Sequence, residues 1–183
     1  MLMTALLITA ALNASGAPTD PHSYANTTDV VVRTVALDLS VDFDRHELAG
    51  TAELSLDWKD AAARTLVLDT RDLSIEAVDA IDAGGTAHAA RFGLRKRDPI
   101  LGSALEIRLD TPAPRVRVRY RTSPDASGLQ WMTPAQTAGK QHPFTFSQSE
   151  SIHAQAGCRC RTRRRCASRT RHTSPCRRIS ARS

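Results

Sequence analysis

Apolar and polar residues alternate over two long stretches in the first third of the chain. In the first stretch, 29–43, every odd position from 31 onwards is apolar except Arg33, and these apolar residues are Val31, Val35, Leu37, Leu39, Val41 and Phe43. A repeat of two is the period of a β-strand with one buried face. A polar turn at 44–47 precedes the second stretch, 48–58, in which Leu54, Leu56 and Trp58 share a face. The pattern predicts two long, half-buried strands that pair antiparallel.

Shorter apolar stretches follow at regular spacing, with turn signals between them. Gly84 and Gly85 mark one turn, and Pro112 and Pro114 interrupt another stretch. Many short strands separated by turns are typical of antiparallel β-proteins. We therefore predict an all-β domain, an antiparallel β-sandwich or curved sheet, with further strands at 65–69, 73–81, 88–94, 103–109 and 115–120.

The last of these predicted strands has arginine along one whole face. Val116, Val118 and Tyr120 occupy the opposite face, and the arginines are Arg115, Arg117, Arg119 and Arg121. Two interpretations are open from the sequence: a solvated outer face of the sheet, or a surface for an anionic ligand.

The positive charge of the chain is confined to its end. The full chain of 183 residues has a net charge of +6 and a pI of about 9.7, values that would indicate a nucleic-acid or anionic-surface partner. Residues 158–183 contain 10 Arg and no acidic residue, which leaves 15 basic and 19 acidic residues in 1–157, a net charge of −4. All 4 cysteines also lie in 158–183. The body of the chain therefore indicates no nucleic-acid partner.

The N-terminal sequence, MLMTALLITAALNASGAP, has the apolar run and the small residues of a secretory signal, although no Lys or Arg precedes the run. The run is too short to cross a bilayer as a helix, which needs roughly 20 residues. We expect a cleaved export signal at 1–17 and a linker at 18–28, and hence a periplasmic or secreted protein with no membrane span. The alternative is a buried or frayed N-terminus in a cytoplasmic protein.

Near the end of the ordered pattern, 129–153 reads LQWMTPAQTAGKQHPFTFSQSESIH and follows neither a helical nor a strand period. Apolar anchors among Thr, Gln, His and Pro predict a loop held by its own side chains, followed by an extended segment, and such loops often carry function. The segment resembles the M1 family of zinc aminopeptidases, in its leukotriene A4 hydrolase and aminopeptidase B branch, whose pattern is LQWLTPxQTxGKxHPYxFSQ followed by xxxIHAR. The matching residues are Trp131, Thr133, Pro134, Gln136, Thr137, Gly139, Lys140, His142, Pro143, Phe146, Ser147, Gln148, Ile152, His153 and Ala154.

The resemblance implies that 29–154 form the saddle-shaped, all-β N-terminal domain of such an enzyme. It also implies that Gln148 and Glu150 contact the N-terminal residue of a peptide substrate, where a carboxylate would pair with the free α-ammonium group. An exposed strand end with solvated side chains is the alternative for these two residues. His142 and His153 are expected to hold the loop by hydrogen bonds.

The zinc chemistry of the family requires motifs that this chain does not contain. A zinc aminopeptidase binds its metal through HExxH and a later Glu, and it carries a GxMEN motif. The only His-Glu pair here is His46-Glu47, in HELAG, where Gly50 stands in the place of the second His and the pair falls in a predicted turn. We therefore expect no catalytic residue and no metal ligand in this chain. The resemblance places Zn²⁺ in a downstream domain of the parent enzyme.

Residues 155–183 have no apolar period, and three interpretations compete for them: a basic nucleic-acid arm, a cysteine metal tract, and an out-of-frame translation. With permitted codons, reading from the last base of the Gln155 codon gives SWLPLQDTPSVRFTYTAHIS. The family pattern continues after IHAR as SWxPxQDTPxVRxTYxA. The residues fix the last two bases of each shifted codon, whereas its first base is a chosen third base, and the agreement obtained in this way favours a frameshift and a disordered, meaningless tail.

The resulting functional hypothesis is a fragment of an M1 metallo-aminopeptidase that comprises its N-terminal substrate-binding domain and is inactive alone. Its partners would be peptide N-termini and the catalytic zinc domain of the same parent chain. The alternative is a non-catalytic β-sandwich binding module whose basic tail binds nucleic acid, which would give an affinity that falls steeply with salt. A free-standing domain that docks on a separate catalytic subunit is a third possibility.

Overall fold

A computed structural model of the chain describes residues 20–147. The predicted export signal at 1–17, the site residues Gln148 and Glu150, and the tail at 155–183 lie outside this part. No helix within 20–147 is long and apolar enough to cross a membrane. The elements are β1 (Val30–Asp42), β2 (Glu47–Trp58), β3 (Thr65–Thr70), β4 (Ser74–Ile81), β5 (Ala87–Ala89), β6 (Arg91–Leu94), β7 (Ser103–Arg108), β8 (Arg115–Arg121), β9 (Leu129–Met132), a 3-10 helix (Pro134–Gln136) and β10 (Phe144–Ser147).

The strands form three antiparallel sheets. A five-stranded sheet has the order β1-β2-β8-β4-β5, a three-stranded sheet has the order β3-β7-β6, and β9 pairs with β10 alone. The first two sheets pack face to face, because one hydrophobic cluster takes Leu54 and Val116 from the large sheet and Leu66 and Ile107 from the small one. The predicted all-β antiparallel sandwich is therefore confirmed.

The long pair of strands is also confirmed, but the predicted face of β1 is wrong at its start. A β-bulge between Val32 and Thr34 inserts an extra residue against β2. Before the bulge the buried residues are Val30 and Val32, not Val31. After it the odd residues share the inner face, since Val35 lies opposite Leu54. A simple alternation cannot reveal such an insertion, because the bulge shifts the parity within one strand.

The predicted strand at 88–94 is two strands in different sheets. β5 pairs with β4 in the large sheet, whereas β6 pairs with β7 in the small one. Ala90, between them, donates its backbone N–H to the carbonyl of Val78 at 2.8 Å. The chain therefore passes from one layer of the sandwich to the other at this residue, a change that leaves the apolar pattern uninterrupted.

The polar segment before β1 is hydrogen-bonded to β3. The buried carboxylate of Asp69 accepts the hydroxyl of Ser23 at 2.6 Å and the backbone N–H of Tyr24 at 2.7 Å. The side-chain amide of Asn26 donates to the carbonyl of Thr65 at 2.8 Å and accepts the N–H of Val67 at 2.9 Å. Residues 23–26 thus satisfy backbone and side-chain groups of β3 that would otherwise lack partners.

We predict that Gly102→Ala destabilises the domain by about 2 kcal/mol, the scale of a strained backbone conformation. Gly102 has a φ of +78°, and a Cβ atom there would lie 2.2 Å from the backbone oxygen of Thr70 at the end of β3. Urea unfolding followed by circular dichroism would measure the change.

Gly93→Ala is the matched control, because Gly93 has nothing within 4 Å of the added carbon. Equal stabilities of the two variants would contradict this assignment of strain to Gly102.

Candidate functional site

The segment singled out by its sequence forms a β-hairpin with a long loop. Met132 of β9 lies opposite Phe144 of β10, and Leu129 lies opposite Ser147. The hydroxyl of Thr145 donates to the carbonyl of Gln130 at 3.0 Å, which adds a side-chain bond to the ladder. The pairing of β9 with β10 extends to Ser147. The hairpin therefore positions the residue that directly precedes Gln148.

The loop at 133–143 is held by its own side chains, as predicted. The Gln136 side-chain oxygen accepts the backbone N–H of Thr133 at 2.9 Å and its hydroxyl at 3.1 Å. The Thr137 hydroxyl lies 2.8 Å from the carbonyl of Pro134 and 3.1 Å from that of His142. These contacts close a 3-10 turn and tie the two ends of the loop together. His142 contributes its backbone oxygen here; its imidazole has no hydrogen bond in the described part of the chain.

Trp131 attaches the hairpin to the turn between β1 and β2. Its ring stacks on the imidazole of His46, with centroids 5.2 Å apart and planes 15° apart. The ring of Phe43 meets it edge-on at 5.8 Å. The indole Nε1 is buried and has no hydrogen-bond partner among residues 20–147. Beside this contact, Leu129 packs with Leu48 and Ala126 in a second small core.

His46 is therefore a site-supporting residue that the sequence argument treated only as part of a turn. It has a φ of +52°, and Glu47 directly after it begins β2. The predicted turn is confirmed for His46, whereas the rest of HELAG, from Glu47 to Gly50, belongs to β2. Within residues 20–147, no group of three or more His, Cys, Asp and Glu side chains could hold a metal ion.

A cavity of about 480 Å³ opens on the loop side of the hairpin. Its lining combines an apolar floor with amide and imidazole groups, and it comprises Met132, Gln136, Thr137, Ala138, Gly139, Gln141, His142, Pro143 and Phe144. Apolar concavities with a few polar groups are where ligands and partner segments bind. Phe144 is 53% exposed and Phe146 is 41% exposed, and their rings stack with centroids 6.3 Å apart.

The predicted substrate-binding residues Gln148 and Glu150 follow β10 directly in sequence and lie outside the described residues. The structure thus brings together the loop, the cavity and the two exposed aromatic rings next to that point. The roles of Gln148 and Glu150 remain predictions.

The chain is similar in sequence and in fold to known enzymes. No family model matches the chain. Leucine aminopeptidase 2 of Yarrowia lipolytica is 35% identical over 144 residues, which are 77% of this chain and 21% of the relative. Leukotriene A-4 hydrolase of Xenopus laevis is 34% identical over 151 residues, 77% of this chain and 23% of the relative. The structure of native leukotriene A4 hydrolase from Saccharomyces cerevisiae superimposes with a TM-score of 0.65 at 30% identity, over 75% of this chain and 22% of that one. The chain is homologous to the N-terminal region of these M1-family enzymes.

The predicted family is therefore confirmed, and the sandwich is that of the leukotriene A4 hydrolase N-terminal domain. The chain spans less than a quarter of the length of the curated relatives it matches. The structure of the yeast hydrolase in complex with bestatin gives a similar match, with a TM-score of 0.68 at 29% identity over 78% of this chain and 22% of that one.

The arginine face of this M1-family domain is largely neutralised by glutamates on neighbouring strands. Glu53 on β2 accepts hydrogen bonds from Arg115 at 2.7 Å and Arg117 at 2.9 Å. Arg121 bonds the carboxylate of Glu76 at 2.8 Å and lies 3.4 Å from that of Glu47. Of the four arginines, Arg119 alone has no acidic partner within residues 20–147. This arrangement favours the solvated, ion-paired face over an anion-binding surface.

We predict a pH-dependent contribution of Glu53 to stability. Hydrogen bonds from Arg117 and Arg115 hold the pKa of Glu53 below its usual value. Because the folded-state pKa lies below that of the unfolded chain, the stabilisation is present at neutral pH and is lost as the pH falls through the lowered pKa. Glu53→Gln should therefore cost about 1 kcal/mol at pH 7, the scale of a paired surface carboxylate. The difference from the unaltered chain should shrink towards pH 3.

Urea unfolding at pH 7, 5 and 3 would measure both effects. Asp44→Asn is the control, since Asp44 lies in the β1–β2 turn and its side chain has no ion pair in the described part of the domain. A loss for Glu53→Gln that is the same at all three pH values would contradict the assignment.

Proposed function

We propose that this chain contains the N-terminal, substrate-binding domain of an M1 zinc aminopeptidase that removes N-terminal residues from peptides. One observation carries the proposal. The β9–β10 hairpin, with its side-chain-pinned loop, holds in register the segment that matches the family pattern, directly before Gln148. The similarity to leucine aminopeptidase 2 and leukotriene A-4 hydrolase supports it.

Within this proposal, Gln148 and Glu150 bind the free N-terminus of the substrate. A carboxylate forms strong charge-assisted hydrogen bonds with an α-ammonium group, and a side-chain amide both donates and accepts hydrogen bonds. Such a pair recognises an unblocked peptide end and orients the first peptide bond. The rigid hairpin supports this role, because a binding group must be held by an ordered scaffold to be selective.

The residues described here do not fit a zinc site. None of the His, Asp and Glu side chains within residues 20–147 converge in a group of three. We therefore assign no catalytic step to these residues. Metal binding and peptide-bond hydrolysis belong to the downstream part of the parent enzyme, and this chain contributes binding and orientation of the substrate.

We further propose that the chain is interrupted by a frameshift near Gln155 and is inactive by itself. The shifted sequence SWLPLQDTPSVRFTYTAHIS, which permitted codons allow, supports this, because it continues the family pattern at the point where the sequence of the chain leaves it. The change from a net charge of −4 in 1–157 to 10 Arg without an acidic residue in 158–183 also supports an interruption of the reading frame.

Sequencing the coding DNA across Gln155 and downstream tests the frameshift directly. We expect the shifted frame to stay open and to encode GxMEN and HExxH motifs. Immediate stop codons in that frame would overturn the interruption and would establish the Arg- and Cys-rich tail as a genuine part of the protein.

The enzyme encoded by the restored frame provides the functional test. We expect it to hydrolyse aminoacyl-arylamides in a zinc-dependent reaction, and the 183-residue chain to give no hydrolysis under the same conditions. Glu150→Ala in the restored enzyme should raise KM for a peptide with a free N-terminus by roughly tenfold or more, since a charge-assisted bond is lost. Ser151→Ala is the neighbouring control. An unchanged KM for Glu150→Ala would remove Glu150 from the substrate site.

A further inference from the structure

Two arginines without a partner lie directly opposite each other on the small sheet. Within residues 20–147, the guanidinium groups that make neither an ion pair nor a hydrogen bond are those of Arg91, Arg108 and Arg119. Arg91 of β6 is paired with Arg108 of β7 in the antiparallel ladder. Residues in this position point to the same face with Cβ atoms about 4.5–5.5 Å apart, and like charges there are destabilising. An anion bound between the two side chains would remove this repulsion.

The arginines next to this pair have acidic partners. Arg95, just after β6, forms an ion pair with Glu106 of β7. Arg97 bonds the carboxylate of Asp72 at 2.6 Å. Three of the four arginines of β8 are paired with glutamates, and only Arg119 is not. The pair of Arg91 and Arg108 is therefore the place within residues 20–147 where two unneutralised guanidinium groups lie side by side.

A cavity of about 410 Å³ lies beside these two arginines, where the chain passes from β5 to β6, and both arginines line it. Its floor is apolar and continuous with the main hydrophobic core, and the floor residues are Ala80, Ala90, Leu109 and Ala113. Sites for small molecules are concave, mostly apolar and of this size, with a few charged groups that orient the ligand. The cavity has this composition.

Hydrogen bonds hold the wall formed by the segment after β7. Leu109 donates its backbone N–H to the carbonyl of Arg64 at 2.8 Å. The carbonyl of Ala113 accepts the indole N–H of Trp58 at 2.8 Å. Charged groups bind a ligand selectively when the scaffold around them is ordered. The wall therefore provides an ordered surface opposite the arginines.

Two carboxylates also line the cavity but do not neutralise the arginines. One oxygen of Asp82 accepts the N–H of Thr86 at 2.8 Å, and the other lies 3.3 Å from Nε2 of His88. Asp110 makes no ion pair within residues 20–147. Since Asp82 is engaged by its own turn, the cavity has two guanidinium groups and one carboxylate without a partner. Its remaining charge is positive.

We propose that this cavity binds a small organic phosphate. Arg91 and Arg108 hold the phosphate group, and the apolar part of the ligand lies on the floor around Leu109. A guanidinium group donates two parallel hydrogen bonds to a phosphate, and two such groups match its charge of about −1.5 to −2 at neutral pH. The site shares no residue with the cavity of the β9–β10 hairpin, so it does not depend on the proposed peptide-binding role.

A titration of the isotope-labelled 183-residue chain with phenyl phosphate, followed by NMR, tests the site. We expect saturable shifts of the backbone amides at 88–91 and 109–111. Inorganic phosphate should shift the same amides with about tenfold weaker affinity, because it buries no apolar surface on the floor. Equal affinities of the two probes would overturn the assignment of the floor to the ligand.

Arg91→Gln should weaken the binding of phenyl phosphate by about tenfold or more, since a charge-assisted hydrogen-bonding group is lost. Arg119→Gln is the matched control, because it removes an arginine that also lacks a partner but lies outside the cavity. It should leave the affinity unchanged. The arginines of 158–183 are present in both variants, so any binding of the probes to them does not differ.

Thermal unfolding gives a second measurement and shows whether the variants fold. Phenyl phosphate should raise the Tm of the unaltered chain and of Arg119→Gln, because a ligand that binds the folded state stabilises it. It should leave the Tm of Arg91→Gln unchanged, while this variant without ligand unfolds at the same or a higher temperature than the unaltered chain. The absence of saturable shifts at the cavity amides, or equal affinities of the two variants, would overturn the proposal.

Discussion

The packing of β2 and β8 against the small sheet is the interaction on which the rest of the domain depends. Leu54 and Val116 are fully inaccessible, and they meet Leu105 and Ile107 of the small sheet, which are equally buried. Burial of side chains of this size contributes about 1.5–3 kcal/mol each. Since β2 and β8 are neighbours in the middle of the large sheet, their inner faces fix the register of β1 on one side and β4 on the other.

The candidate site takes its position from this sheet through a small number of contacts. Leu48, near the start of β2, packs with Leu129 at the start of β9, and the β1–β2 turn supplies His46 and Phe43 to the Trp131 ring. The hairpin makes no ladder with either larger sheet. Its orientation therefore depends on aromatic packing, which is directional and tolerates little displacement.

The sequence predicted best those strands in which the two-residue alternation runs along the whole strand. The alternation along β2 and β8 predicted both strands, because every second residue faces a single core. It failed at Val32 and at Ala90, where a bulge or a change of layer alters the face without altering composition. The loop was predicted as ordered from its residue types and its family pattern, whereas the stacking of His46 on Trp131 depends on a contact between segments distant in sequence.

The positions of the charged residues in the chain are more informative about its surface than its net charge is. The pI of about 9.7 belongs to the whole chain and does not reflect the charge of the domain, because residues 1–157 carry a net charge of −4. Within the domain, Glu53 forms ion pairs with two arginines of β8. Each ion pair of this kind contributes little to stability, but the glutamates reduce the repulsion between the arginines that lie along β8. The basicity of the whole chain therefore does not describe the outer face of the large sheet, where three of the four arginines of β8 are paired with glutamates.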